Sequence, residues 1–157
     1  MSCDVAAVSM TLWLAAVRHD PQVQAERLLY SVSATAPVSS LSGEPLYAGI
    51  VARAKALKQQ VDRYRKAGGA TPDFEGFKGK VTELSEMDMQ GHLDLAKRGT
   101  DGDLKCILKG ISQDLPKRLA ELAAASAPAA RQKALADMSY LLNDNVEVIT
   151  APPAPPV

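Results

Sequence analysis

Aromatic side chains are scarce in this sequence. One Trp, four Tyr and two Phe make up 4% of its 157 residues. A core must therefore come mainly from Leu, Val, Ile, Met and Ala, which is the filling of a helical bundle rather than of a β-sandwich. Histidine and cysteine are scarcer still, at two each. Two histidines leave little for a His-based catalytic set or a zinc site, which needs three or four protein ligands. Cys3 and Cys106 form no CxxC pair and no metal-ligand spacing. They read as two reduced small hydrophobes, with one disulfide in an oxidising compartment as the alternative.

Charge of one sign is absent too. Eighteen basic and 18 acidic side chains cancel, so no long-range field draws the chain to a phosphate backbone, and nucleic-acid binding would need a local patch. Long apolar runs are missing. The best, residues 5–17, is interrupted by Ser9 and Thr11, and falls short of the roughly 18–20 residues a membrane span requires. Its only preceding charge is Asp4, where a signal peptide wants basic residues. The stretch reads as a mature helix and the chain as cytoplasmic. An exported form trimmed of its leader would read the same, and Cys3-Asp4 would then suit a lipoprotein start. No Gly-rich phosphate loop, GxSxG or HExxH occurs, which removes the commonest catalytic signatures and points to a non-enzymatic protein without a cofactor.

What is present is helical rhythm. Apolar residues make up 46% and charged residues 23%, ordinary globular usage. The pattern predicts five or six helices in one domain over residues 1–145, with a flexible Pro-rich tail over 146–157. Residues 5–18 form a helix whose apolar positions (Val8, Leu12, Trp13 and Val17 among them) cover more than one face. Asp20-Pro21 starts a second helix that runs to about Val32, and a loop follows to Gly43.

The next two segments carry the clearest signal. Pro45 opens a helix that Gly68-Gly69 stops, with Tyr47, Ile50, Ala54, Leu57, Val61 and Tyr64 at alternating spacings of three and four. Thr71-Pro72 opens another that Gly99 closes, with Phe74, Phe77, Val81, Leu84, Asp88, Gly91 and Leu95. Two such stripes joined by a short Gly-rich turn predict an antiparallel heptad-packed hairpin. Beyond it, a helix after Thr100 is expected to kink or restart at Pro116. A last helix from Pro128 is expected to end at Asn143–Asn145, with residues 146–149 alternating like a short strand.

Within ELSEMDMQGHLDLAKRG, residues 83–99, Asp88 and Gly91 interrupt the apolar stripe. Folding the hairpin at residues 68–70 sets Tyr47 opposite Gly91 and Ile50 opposite Asp88. Gly91 then leaves room for the Tyr47 ring, and a buried Asp88 carboxyl, expensive without a partner, would be satisfied by the Tyr47 hydroxyl or by Arg53. The alternative takes Asp88 and His92, one turn apart, as ligands of a metal, haem or small molecule. That site would recruit His19, Glu83, Asp94 or Asp103, or a Met such as Met10, Met87 or Met138.

Charge along the hairpin is segregated. Residues 53–80 carry a local balance of +5 and residues 81–103 one of −4. The turn end is basic, with Arg63, Arg65 and Lys66 beside Tyr64. The expectation is a protein-interaction module, an adaptor or chaperone-like subunit meeting an acidic protein through Arg63, Arg65 and Lys66 and another surface through Val8, Leu12, Trp13 and Val17. Small-molecule, haem or metal binding at Tyr47, Asp88 and His92 is the alternative, and nucleic-acid binding at the tip a third.

Overall fold

Pro45 stands in the first turn of α1 (Pro45–Lys66) and Pro128 in that of α4 (Pro128–Thr150), where a missing backbone N–H removes no intrahelical bond. Between them lie α2 (Phe74–Arg98) and α3 (Gly102–Ala124), and a 3-10 turn, Ser40–Gly43, precedes α1. This computed structural model describes residues 40–99 and 102–151, all within the unit Ala36–Val157. No strand occurs among the described residues. Four of the expected helices are present, and the two expected over residues 5–32 lie outside the described residues.

Glycine sets the turn after α1. Gly68 and Gly69 take φ of 70° and 93°, a region hostile to a side chain with Cβ. Gly69 N–H bonds the Tyr64 carbonyl at 2.8 Å and Gly68 N–H that of Arg65 at 3.2 Å, the paired bonds of a Schellman cap. Gly99, φ 69°, ends α2 in the same left-handed region.

The helices form a square in which each packs on two neighbours. α2 lies most closely on α3 and α1 on α4, while α1 and α2 meet more loosely. The diagonal pairs, α1 with α3 and α2 with α4, make no close backbone approach. Side-chain bonds show the antiparallel sense, with residue numbers rising on one helix as they fall on its neighbour. Arg53 meets Glu83 and Tyr47 meets Gly91 across α1 and α2. Ser85 meets Ser112 and His92 meets Lys105 across α2 and α3. Asp62 meets Ser139 and Arg65 meets Gln132 across α1 and α4.

The core is aliphatic, as the aromatic shortage implies. The α1 stripe from Tyr47 to Tyr64 is buried throughout, and so is that of α2 from Phe77 to Leu95. α3 adds Leu104, Leu108, Ile111, Leu115, Leu119 and Leu122, and α4 adds Leu135, Met138, Leu142 and Ile149. At such sites truncation of one Leu to Ala costs about 2–5 kcal/mol. Tyr64 closes the turn end by meeting Phe77 edge-on, ring centroids 5.6 Å apart.

Three expectations need correction. Pro116 does not restart the helix, because α3 runs as one element from Gly102 to Ala124. A proline at 116 leaves the carbonyl of Ser112 without its helical donor, and the Ser85 hydroxyl of α2 donates to that carbonyl at 2.7 Å. The neighbouring helix thus supplies what the proline removes. α4 does not stop at Asn143–Asn145 but continues to Thr150, so residues 146–149 are helix, not strand. The tail's residues 152–157 lie outside the described residues. Cys106, read as a reduced thiol, is disulfide-bonded; Cys3 lies outside the described residues.

Candidate functional site

The heptad seam places Asp88 on the inner face of α2, and its exposure is 0%. Neither Tyr47 nor Arg53 reaches it. Asn145 of α4 does, donating its amide N–H to Asp88 Oδ2 at 2.7 Å. The bond crosses the α2–α4 diagonal through the middle of the bundle. Asn145 is itself 0% exposed, and it extends the α4 stripe Leu135, Met138, Leu142 by one more step. Two polar residues at inward positions therefore answer each other. Among the described residues, Asp88 Oδ1 and Asn145 Oδ1 have no hydrogen-bond partner. Burial pushes the Asp88 carboxyl up to about 8, against the opposing pull of the Asn145 hydrogen bond.

Tyr47 and Gly91 do meet as the register requires, but Tyr47 is spent elsewhere. Its hydroxyl donates to Asp94 Oδ2 at 2.7 Å and lies 3.3 Å from the Gly91 carbonyl. A Cβ at Gly91 would lie 3.1 Å from Leu108 Cδ1 and 3.4 Å from both Ile50 Cδ1 and Tyr47 Cε1. Gly91 thus makes room for α3 as much as for the tyrosine. Asp94 also takes Arg98 at 2.7 Å, and Arg98 forks onto both oxygens of Glu44 at 2.9 and 2.7 Å. The same guanidinium lies 5.9 Å from the centre of the Tyr47 ring, within cation–π range. The network joins the start of α1 to the end of α2. The Tyr47 hydrogen bond and, beside it, the Arg98 guanidinium hold the Asp94 carboxyl below the usual carboxylate range. Burial, then Asp94, raises the Tyr47 phenol.

His92 is not a partner of Asp88. Its Nδ1 lies 2.7 Å from the carbonyl oxygen of Lys105, to which the ring N–H donates across the α2–α3 interface. Among the described residues no cluster of three or more His, Cys, Asp or Glu could hold a metal ion. Tyr47, Asp88 and His92 thus face Asp94, Asn145 and Lys105 respectively. Met138 is a core residue and Met87 packs against Gly49; Met10 and His19 lie outside the described residues.

The basic turn end is divided between two recesses. Arg53, Arg63 and Lys80 line one of about 310 Å³ between α1 and α2, with Gln59, Gln60, Ala56 and Leu57. Arg65 and Lys66 line another, of about 410 Å³, with Asp62 and Gln132 of α4. In the first, Arg53 is paired with Glu83 at 2.5 Å, while Arg63 and Lys80 make no ion pair among the described residues. In the second, Asp62 pairs with Lys58 and Arg65 and accepts from the Ser139 hydroxyl, while Lys66 makes no ion pair among the described residues. The acidic base is less acidic than its formal count, because Asp88 is buried and Asp94 and Glu83 are paired. Val8, Leu12, Trp13 and Val17, the other expected contact residues, lie outside the described residues.

No family model, curated protein or solved structure matches this chain. The site must be read from its own chemistry. Sequence reasoning missed Asn145 and Lys80. Asn145 had a usable signal, since 135, 138, 142, 145 and 149 continue a spacing of three and four, but Asn-Asp-Asn also reads as a helix stop. None of the helices among the described residues is long and apolar enough to cross a membrane.

Proposed function

We propose that this chain is a non-enzymatic interaction module that receives an acidic segment of another protein in the α1–α2 groove. The observation that carries the reading is the convergence of Arg53, Arg63 and Lys80 on one recess, where Arg63 and Lys80 make no ion pair among the described residues. Gln59 and Gln60 add amide donors, and Ala56 adds apolar surface. Arg53 to Arg63 spans ten helical residues, about 15 Å along the axis, which suits an extended or helical peptide better than a single small anion. Such a surface steers a negative partner and sets its register more than it adds raw affinity. Arg65 and Lys66 contribute field rather than contact, because they line the other recess, where Asp62 pairs with Arg65.

The test uses the full chain and a fluorescein-labelled peptide of glutamates with one leucine, followed by anisotropy. Binding should weaken as salt rises, since the charges are exposed. Arg63→Glu combined with Lys80→Glu should weaken it by about tenfold or more, equivalent to ~1.4 kcal/mol. Arg65→Glu should have a distinctly smaller effect. A double variant that binds the peptide like the wild type overturns the assignment.

A further inference from the structure

We propose that Asp88 is held as a neutral carboxylic acid in the resting fold, and that the Asp88–Asn145 pair is a proton-operated latch across the α2–α4 diagonal. This is independent of the docking groove. The geometry carries it. Asn145 Nδ2 donates to Asp88 Oδ2, which leaves one oxygen over on each side chain, and both remaining oxygens are buried without a donor among the described residues. An ionised Asp88 would keep both as acceptors with no hydrogen between them. A proton on Asp88 Oδ1 converts one of the two into a donor and the other into its acceptor. The acid and the amide can then form a closed ring of two hydrogen bonds that satisfies every polar atom of the pair.

The surroundings favour the neutral form from every side. On α2, His92 is turned to Lys105 and Ser85 to Ser112. From α1, Ile50 is apolar, and the Tyr47 hydroxyl is committed to Asp94. From α3 comes Leu108, which packs over Gly91 one turn away, and from α4 comes Asn145. No cation among these offsets the burial of a carboxylate; desolvation and the Asn145 bond are the two influences on the Asp88 proton.

The sign of the pH dependence follows. Burial sets the folded-state value at about 8, above that of an unfolded aspartate at about 3.9. The latch therefore contributes fully below the ordinary carboxylate range, and its contribution is lost as pH rises towards about 8. Ionisation would leave a charge in the aliphatic core and loosen α4 from α2.

A ¹³C titration of the aspartate carboxyls in the full chain tests this. One resonance should titrate with a midpoint near 8 and be missing from Asp88→Asn. That variant replaces the acid–amide ring by an amide–amide one. Its urea midpoint should stay level from about pH 5 to about pH 9, where the wild type's falls. If Asp88 titrates in the ordinary acid range, or if Asp88→Asn retains the wild-type slope, the latch is refuted. Should the variant not fold, the wild-type titration decides alone.

Discussion

Asp88 and Asp94 lie less than two turns apart on the same helix, yet the fold treats them oppositely. Asp88 sits on the bundle diagonal with an amide for its only partner, and burial raises its carboxyl. Asp94 sits near the helix end, where a phenol and a guanidinium reach it and hold its carboxyl low. The apolar rhythm of α2 marks Asp88 as an inward position, and Asp94 falls beside the stripe. What separates them is the third dimension: one faces Asn145 across the bundle, the other faces the charged rim. A carboxylate is tolerated where cations can approach it; in an aliphatic interior the economical form is the acid.

The contrast can be tested by removing the partner on each side. Asn145→Leu leaves Asp88 buried without its hydrogen bond and should cost about 2–4 kcal/mol in urea unfolding near neutral pH. Replacing both by Leu should recover much of that loss, since a well-packed apolar pair substitutes for a buried polar one. On the rim, Tyr47→Phe keeps the ring and removes one hydrogen bond, so about 1 kcal/mol is expected. The same variant should raise the Asp94 carboxyl toward the ordinary range. The sign is opposite to that at Asp88. A depressed carboxyl gives stability above the usual carboxylate range and loses it on acidification, and Tyr47→Phe should reduce that acid-side loss, measured as the change in urea midpoint below about pH 4.

The hairpin was legible because nothing local contradicts it. From Tyr47 to Tyr64 every third or fourth residue is apolar, and Gly68-Gly69 supply positive φ where the chain turns. The register followed from that turn, so Tyr47 meets Gly91 as expected. The misreadings occurred where a local signal was overruled by a neighbour far along the chain. Pro116 reads as a break until Ser85, 27 residues before Ser112, takes the freed carbonyl. Asn145 reads as a stop until Asp88, 57 residues earlier, claims its amide. Arg63 and Arg65 look like one basic tip. Two residues apart on a helix, however, they point to opposite sides, and only the packing of α2 and α4 shows that they serve different recesses.

A double-mutant cycle on Asp88→Ala and Asn145→Ala, with urea unfolding at about pH 6, tests the diagonal pair most directly. The account predicts a coupling of about 1–3 kcal/mol, the two changes together costing less than the sum of each alone. Additivity to within about 0.3–0.5 kcal/mol would mean that the two side chains do not answer each other, and the polar centre assigned to this bundle would be wrong.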